Sequence, residues 1–203
     1  KSNLEPCGLS EEFLVPEWNI GRGGLLRLPE NISYDQAALI EPLGCCIRGF
    51  NKISMKHGDS MAIIGAGPTG IMHLLLAERA GANQVFVVDI NDFRLKFAQS
   101  YQHTIAFNPT QSIDISGRIK DLSSGIGVDS TIIATSSPEA FGLALQITRK
   151  GGKILGTRLI WISAAMDSPF VSLVICELIT VFPVIFVAIA SEGGRSPSSR
   201  LLQ

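Results

Sequence analysis

From residue 54 onward, short blocks of unbroken hydrophobic residues alternate with stretches in which apolar positions recur every three or four residues. The blocks at 61–64, 84–89, 104–107, 129–134 and 152–155 are brief and apolar on successive positions, which predicts strands buried on both faces. The stretches between them, about 68–80, 91–100, 111–122 and 137–149, carry a helical period. This alternation predicts an α/β fold with a doubly wound parallel sheet. Parallel neighbours need long crossovers, and the crossover helices then cover the sheet. Pro68 and Pro138 stand where helices begin, at positions that need no N–H, and Ser136 or Ser137 is placed to cap the second of them.

Either side of this region the texture differs. Residues 11–28 read as short strands interrupted by Pro16 and by the glycines at 21–24. Residues 33–53 read as helix in two pieces divided at Pro42, because an interior proline removes a hydrogen bond and clashes with the preceding turn. Beyond 156, residues 169–190 form an apolar run broken by Glu177 and Pro183, followed by a polar end. That run is long enough to span a bilayer. Glu177, Pro183 and the lack of flanking basic anchors argue instead for a buried or poorly ordered tail, with no membrane role.

Composition narrows the function classes. Hydrophobic residues make up 46% and charged residues 17% of 203 positions, enough apolar material for a substantial core. A net charge of -1 with scattered Lys and Arg gives no electrostatic footprint for nucleic acid or an anionic membrane. Cys7, Cys45, Cys46 and Cys176 form no CxxC pair or framework, so they read as core residues in a reducing compartment, and a cytoplasmic location is expected. The chain opens on KSNLEPCGLS, without an initiator Met or signal segment, and is expected to continue from a longer protein.

The densest chemical signal is SMAIIGAGPTGIMHLLLAERAGANQVFVVDI, residues 60–90. Gly65, Gly67 and Gly70 form a Gly-x-Gly-x-x-Gly turn between a strand and a helix, and Asp89 follows 19 residues after Gly70 at the end of the next strand. Such a turn suits a dinucleotide: Gly65 makes the tight turn, Gly67 admits the pyrophosphate, and Gly70 lets the helix approach the sheet. Backbone N–H groups around Pro68, Thr69 and Gly70 attract its charge. A carboxylate at Asp89 accepts from ribose hydroxyls and repels a 2′-phosphate, which favours NAD over NADP. Arg94 is a candidate to pack on the adenine. Ala134, Thr135 and Ser136, at the end of the fourth strand, are candidates to line the nicotinamide side. His73 reads as a helix-packing residue, and His57 and His103 as loop residues.

Together the segments EPL (41–43), GAGPTG (65–70), DINDFR (89–94), VDSTIIATSSPEA and RKGGKIL resemble medium-chain, zinc-containing alcohol dehydrogenases, in the branch of sorbitol (polyol) and L-threonine dehydrogenases. The resemblance spans about residues 8–156. It implies a Rossmann NAD domain at 54–156, a remnant of the GroES-like catalytic domain at 1–53, and an atypical hydrophobic tail, remnant or disordered, at 157–203. It also implies a zinc cofactor, an alcohol or polyol substrate, and a homodimer or homotetramer joined through the sheet edge. Glu41 matches a glutamate that ligates or neighbours the catalytic zinc in that branch. The other family ligands lie in segments upstream of this stretch, and one carboxylate does not build a zinc site. Thr135-Ser136 replaces a common Thr-Gly pair, which adds bulk to the nicotinamide side. The expected function is the NAD-binding part of an NAD- and zinc-dependent alcohol dehydrogenase, inactive by itself. The alternatives are a non-catalytic NAD-binding module and a membrane-associated truncated protein.

Overall fold

The computed structural model describes residues 14–111 and 114–156, and the backbone of 172–175. The expectations for 1–13, and those for the tail apart from 172–175, lie outside the described residues. The chain forms two compact units, residues 1–41 with 181–203, and residues 42–180.

In the first unit, residues Glu17–Gly21 form a short helix, α1, where strands are expected from the sequence. Pro16 takes an extended conformation at the N-cap, so its fixed φ starts the turn instead of breaking a strand. A second short helix, α2 (Tyr34–Ala37), is opened by a capping box. The Ser33 hydroxyl accepts from the Gln36 amide at 3.2 Å, and the Gln36 side chain accepts from the Ser33 amide at 3.0 Å.

The third helix, α3 (Ile40–Ile53), begins before Pro42 and runs through it. The helical stretch therefore divides upstream of Pro42. A proline in the first turn forfeits an N–H that has no intrahelical acceptor, so it is tolerated there.

The second unit is built on a six-stranded sheet in the order β3-β2-β1-β4-β5-β6, with every pair parallel. Its strands are β1 (Ser60–Ile64), β2 (Gln84–Val88), β3 (Thr104–Phe107), β4 (Val128–Ile133), β5 (Thr148–Gly156) and β6 (Ser172–Ile175). Crossovers run through α4 (Pro68–Arg79), α5 (Asp92–Ala98), α6 (Ile115–Leu122) and α7 (Glu139–Ile147). A short 3-10 turn at Pro109–Gln111 precedes α6.

Strand alternation sorts the core into two layers. Met61 and Ile63 of β1 pack with Phe50, Leu74, Ala77 and Leu95 from α3, α4 and α5. Ala62 and Ile64 face the other side, with Ile119, Phe141, Ala144 and Ile147 from α6 and α7. Burial on both faces explains the unbroken apolar blocks of β1, β2 and β4.

Polar contacts secure the amino-terminal side of the sheet. Asp129 accepts from the Ser60 amide at 2.7 Å and its hydroxyl at 2.8 Å, and from Arg149 Nε at 2.7 Å, joining β1, β4 and β5. Lys153 Nζ donates to the Ile53 carbonyl at 2.6 Å, which ties the last turn of α3 to β5. The cap expected from Ser136 or Ser137 does not form. Pro138 itself occupies the N-cap of α7, and the Ser137 hydroxyl donates to the Glu139 carboxylate.

Candidate functional site

The sheet order reverses at β1, whose neighbours β2 and β4 lead to opposite sides. Ligands of open α/β sheets enter the crevice at such a reversal, beyond the carboxyl ends of the strands. The glycine turn leaves β1 at this point.

Gly65 has φ +106°, and a Cβ on it would stand 2.7 Å from the Ala134 carbonyl oxygen, so only glycine fits. Gly70 is excluded from carrying a side chain by contact alone, since its Cβ would lie 1.8 Å from the Gly65 carbonyl oxygen. Gly67 is different. It is the N-cap of α4, it has φ -69°, and a Cβ there would meet nothing within 4 Å. The space over Gly67 is open to a ligand, while Gly65 and Gly70 serve the turn and the packing of α4. No side chain caps α4 at Gly67. The N–H groups of Thr69 and Gly70, in its first turn, lack intrahelical acceptors and offer positive potential for a phosphate.

Asp89 closes the opposite wall. It is 9% exposed, and its Oδ2 accepts from the Ala66 amide at 2.7 Å while Oδ1 accepts from the Asn91 amide at 2.8 Å. Arg94 Nη1 stands 3.7 Å from Oδ2, on a half-exposed side chain. The carboxylate is therefore held by backbone donors on two sides, with each oxygen retaining capacity for a further hydroxyl. Asn91 caps α5 by accepting from the Arg94 amide at 3.2 Å. Exposed Ile90 adds apolar surface beside Asp89.

On the β4 side, the Ala134 amide donates to the Ile64 carbonyl at 2.8 Å, which sets Ala134 and half-buried Thr135 beside Gly65. Ser136 is exposed. The structure thus gathers the turn glycines, Thr69, Asp89, Arg94, Ala134 and Thr135 around one crevice. Glu41 is an exposed residue in the first turn of α3 and belongs to the other unit. Among the described residues, no group of three or more His, Cys, Asp or Glu could hold a metal ion.

The histidines lie away from the crevice. His73 is 1% exposed on α4 and its ring stacks on Phe50 with centroids 6.4 Å apart; burial lowers its pKa to about 4. His57 and His103 line a shallow cleft of about 340 Å³ with Glu78, Asn83 and Gln102, at the amino ends of β2 and β3.

Sequence reading missed the contributions of Ala66 and Asn91. Asn91 carried a signal, an Asn directly before a helical stretch. Ala66 takes part through its backbone, which no residue type announces.

The matching family model is that of the zinc-binding dehydrogenases, over residues 68–189. The chain belongs to the zinc-binding dehydrogenase family. It is 34% identical over 129 residues to "Probable D-xylulose reductase A" of Aspergillus fumigatus, covering 62% of this chain and 36% of the relative. It is 31% identical over 149 residues to L-threonine 3-dehydrogenase of Coxiella burnetii, covering 73% of this chain and 42% of that one. Alcohol dehydrogenase TADH from Thermus sp. ATN1 superposes with a TM-score of 0.63 at 28% identity, over 73% of this chain and 44% of the other. The matched part of the chain thus spans less than half the length of each of these proteins. Among the described residues, no helix is long and apolar enough to cross a membrane.

Proposed function

We propose that residues 54–156 bind NAD, as the cofactor domain of a dehydrogenase that oxidises a secondary alcohol or polyol. The observation that carries this reading is the pairing of an open Gly67 cradle with a backbone-held Asp89 at one crevice. Gly67, Thr69 and Gly70 would hold the pyrophosphate, Asp89 the adenosine ribose, Arg94 the adenine, and Ala134, Thr135 and Ser136 the nicotinamide side. When bound, the nicotinamide supplies a hydride acceptor. The chain's own part is to fix the dinucleotide and to select it by charge: a 2′-phosphate would meet the Asp89 carboxylate.

The described residues do not fit a zinc site, because Glu41 is a single carboxylate and zinc takes about four ligands. The activity proposed for the described residues is therefore nucleotide binding alone. Alcohol oxidation is proposed for a whole protein in which other segments complete the metal site. Residues 1–53 are assigned, on the same basis, to the remainder of a GroES-like domain. The edge of the sheet beyond β5 is proposed as the surface joining a homodimer or homotetramer.

Calorimetric titration of the 203-residue chain tests the proposal. NAD should bind, with NADP at least about tenfold weaker. Equal affinities would remove Asp89 from the selecting role, and binding of neither would refute the site.

A further inference from the structure

The residue after β3, Asn108, makes four hydrogen bonds with its side-chain amide while only 5% exposed. Its Nδ2 donates to the Ile90 carbonyl at 3.2 Å and to the Asp92 carboxylate at 2.6 Å. Its Oδ1 accepts from the Thr110 amide at 3.0 Å and from the Thr110 hydroxyl at 2.7 Å. One orientation of the amide satisfies all four contacts, since a flip would set oxygen against the Ile90 carbonyl and the Asp92 carboxylate. Thr110 thus fixes Asn108, and Asn108 fixes the loop between β2 and α5. That loop contains Asn91, whose amide is one of the two backbone donors that hold Asp89. The other donor is Ala66, in the glycine turn. A line of hydrogen bonds therefore runs along the carboxyl edge of the sheet, from the end of β3 to the end of β1.

We propose that Asn108 is a positioning residue for nucleotide selection, acting through the 90–92 loop on the orientation of the Asp89 carboxylate. The inference rests on the NAD reading of the site and adds a residue that touches no part of the nucleotide. A carboxylate selects against a 2′-phosphate only while it is held in one orientation. When the loop loosens, Asp89 loses the Asn91 donor and can swing toward solvent. Arg94, 3.7 Å from Asp89, is then left to attract the phosphate. Loss of Asn108 should for that reason weaken NAD more than NADP, a pattern that a general loss of stability does not produce.

The experiment uses Asn108→Asp, which keeps the shape and the acceptor for Thr110 but sets a carboxylate oxygen against Ile90 and Asp92. Asp92→Asn in the same chain returns a donor to that contact and serves as the rescue. Amide hydrogen exchange of the nucleotide-free chain gives the first readout. Exchange at Ala66 and Asn91 should quicken by roughly tenfold in Asn108→Asp, with the β1 amides of residues 61–64 unchanged. Calorimetry gives the second: NAD affinity should fall by about tenfold and the NAD-to-NADP ratio should shrink. Both readouts should move back toward the parent in the double variant. Unchanged exchange at Ala66 and Asn91 would overturn the proposal, as would protection lost evenly through β1 and β4. A parent chain that binds neither NAD nor NADP would instead refute the nucleotide site, and the exchange readout would still decide the role of Asn108.

Discussion

Asp89 Oδ2 lies 2.7 Å from the amide nitrogen of Ala66, so the carboxylate that ends β2 also fastens the turn that leaves β1. One side chain thus shapes the pyrophosphate cradle and sets the charge beside it. Its removal should cost both. Asp89→Ala is expected to weaken NAD by about tenfold or more and NADP by much less, read by calorimetry. Loss of the bonds to Ala66 and Asn91 should also lower unfolding stability by about 2 kcal/mol in urea titration. An unaltered NAD-to-NADP ratio would remove the assignment.

The turn glycines should separate into two behaviours. Gly70→Ala places a Cβ 1.8 Å from the Gly65 carbonyl, which pushes α4 off the sheet. The expected cost is about 3 kcal/mol, or a drop in Tm of about 6–12 °C. Gly67→Ala meets open space at an ordinary φ, so its stability should stay within about 1 kcal/mol of the parent. Its NAD affinity should nevertheless fall by about tenfold or more, because the methyl occupies the approach of the pyrophosphate. Equal Tm losses in the two variants would contradict this division.

Acid should destabilise the fold in two windows. Burial lowers the pKa of His73 from 6.5 to about 4, so between those values the unfolded chain binds a proton that the folded chain refuses. Stability then rises with pH across that range, and falls as pH drops from 6.5 toward 4. The expected loss is roughly 2–4 kcal/mol. His73→Leu should flatten this window, because it removes the group that titrates there. For Asp129, burial acts to raise the pKa, but the Ser60 amide, Arg149 and the Ser60 hydroxyl together lower it. A depressed carboxylate contributes stability above its unfolded value near 3.8, lost only as pH falls below that. Asp129→Asn should therefore change the acid limb below about pH 4 and leave the histidine window in place. Urea melts from pH 3 to pH 8 on the two variants separate these effects.

The sheet was legible in the sequence because its central strands β1, β2 and β4 are buried on both faces and read as apolar blocks. Residues 104–107 form β3 as the hydrophobic block predicts, and the glycine turn opens α4 at Pro68. Short elements were not legible. A helix of five residues, such as α1, is too brief to show a period, and Pro16 and Gly21 read equally as strand breakers. Pro42 misplaced a boundary because its effect depends on its depth in the helix, which residue type does not give. Within the site, the glycines and Asp89 stood out through their spacing. Asn108 did not, since Ile90 and Asp92 lie 18 and 16 residues away and only the fold brings them together.

The junction between β1 and β4 also governs how the crevice comes into being. Ser60 and Asp129, bonded across it, are separated by 69 residues, whereas β1, β2 and β3 assemble in sequence from 60 to 107. Closing the longer loop comes at greater entropic cost, so the pairing of β1 with β4 is expected to be the slow event in building the sheet. Until it occurs, the chain can carry the glycine turn and Asp89 while lacking the Ala134 shelf on which Gly65 rests. Competence to hold a dinucleotide should then lag behind helix formation in refolding, visible as nucleotide fluorescence that rises after the far-ultraviolet signal has settled. Coincident phases would show that both halves of the sheet form together. A dinucleotide present during refolding would bind only the joined form and trap it, acting as a latch on the last step of assembly.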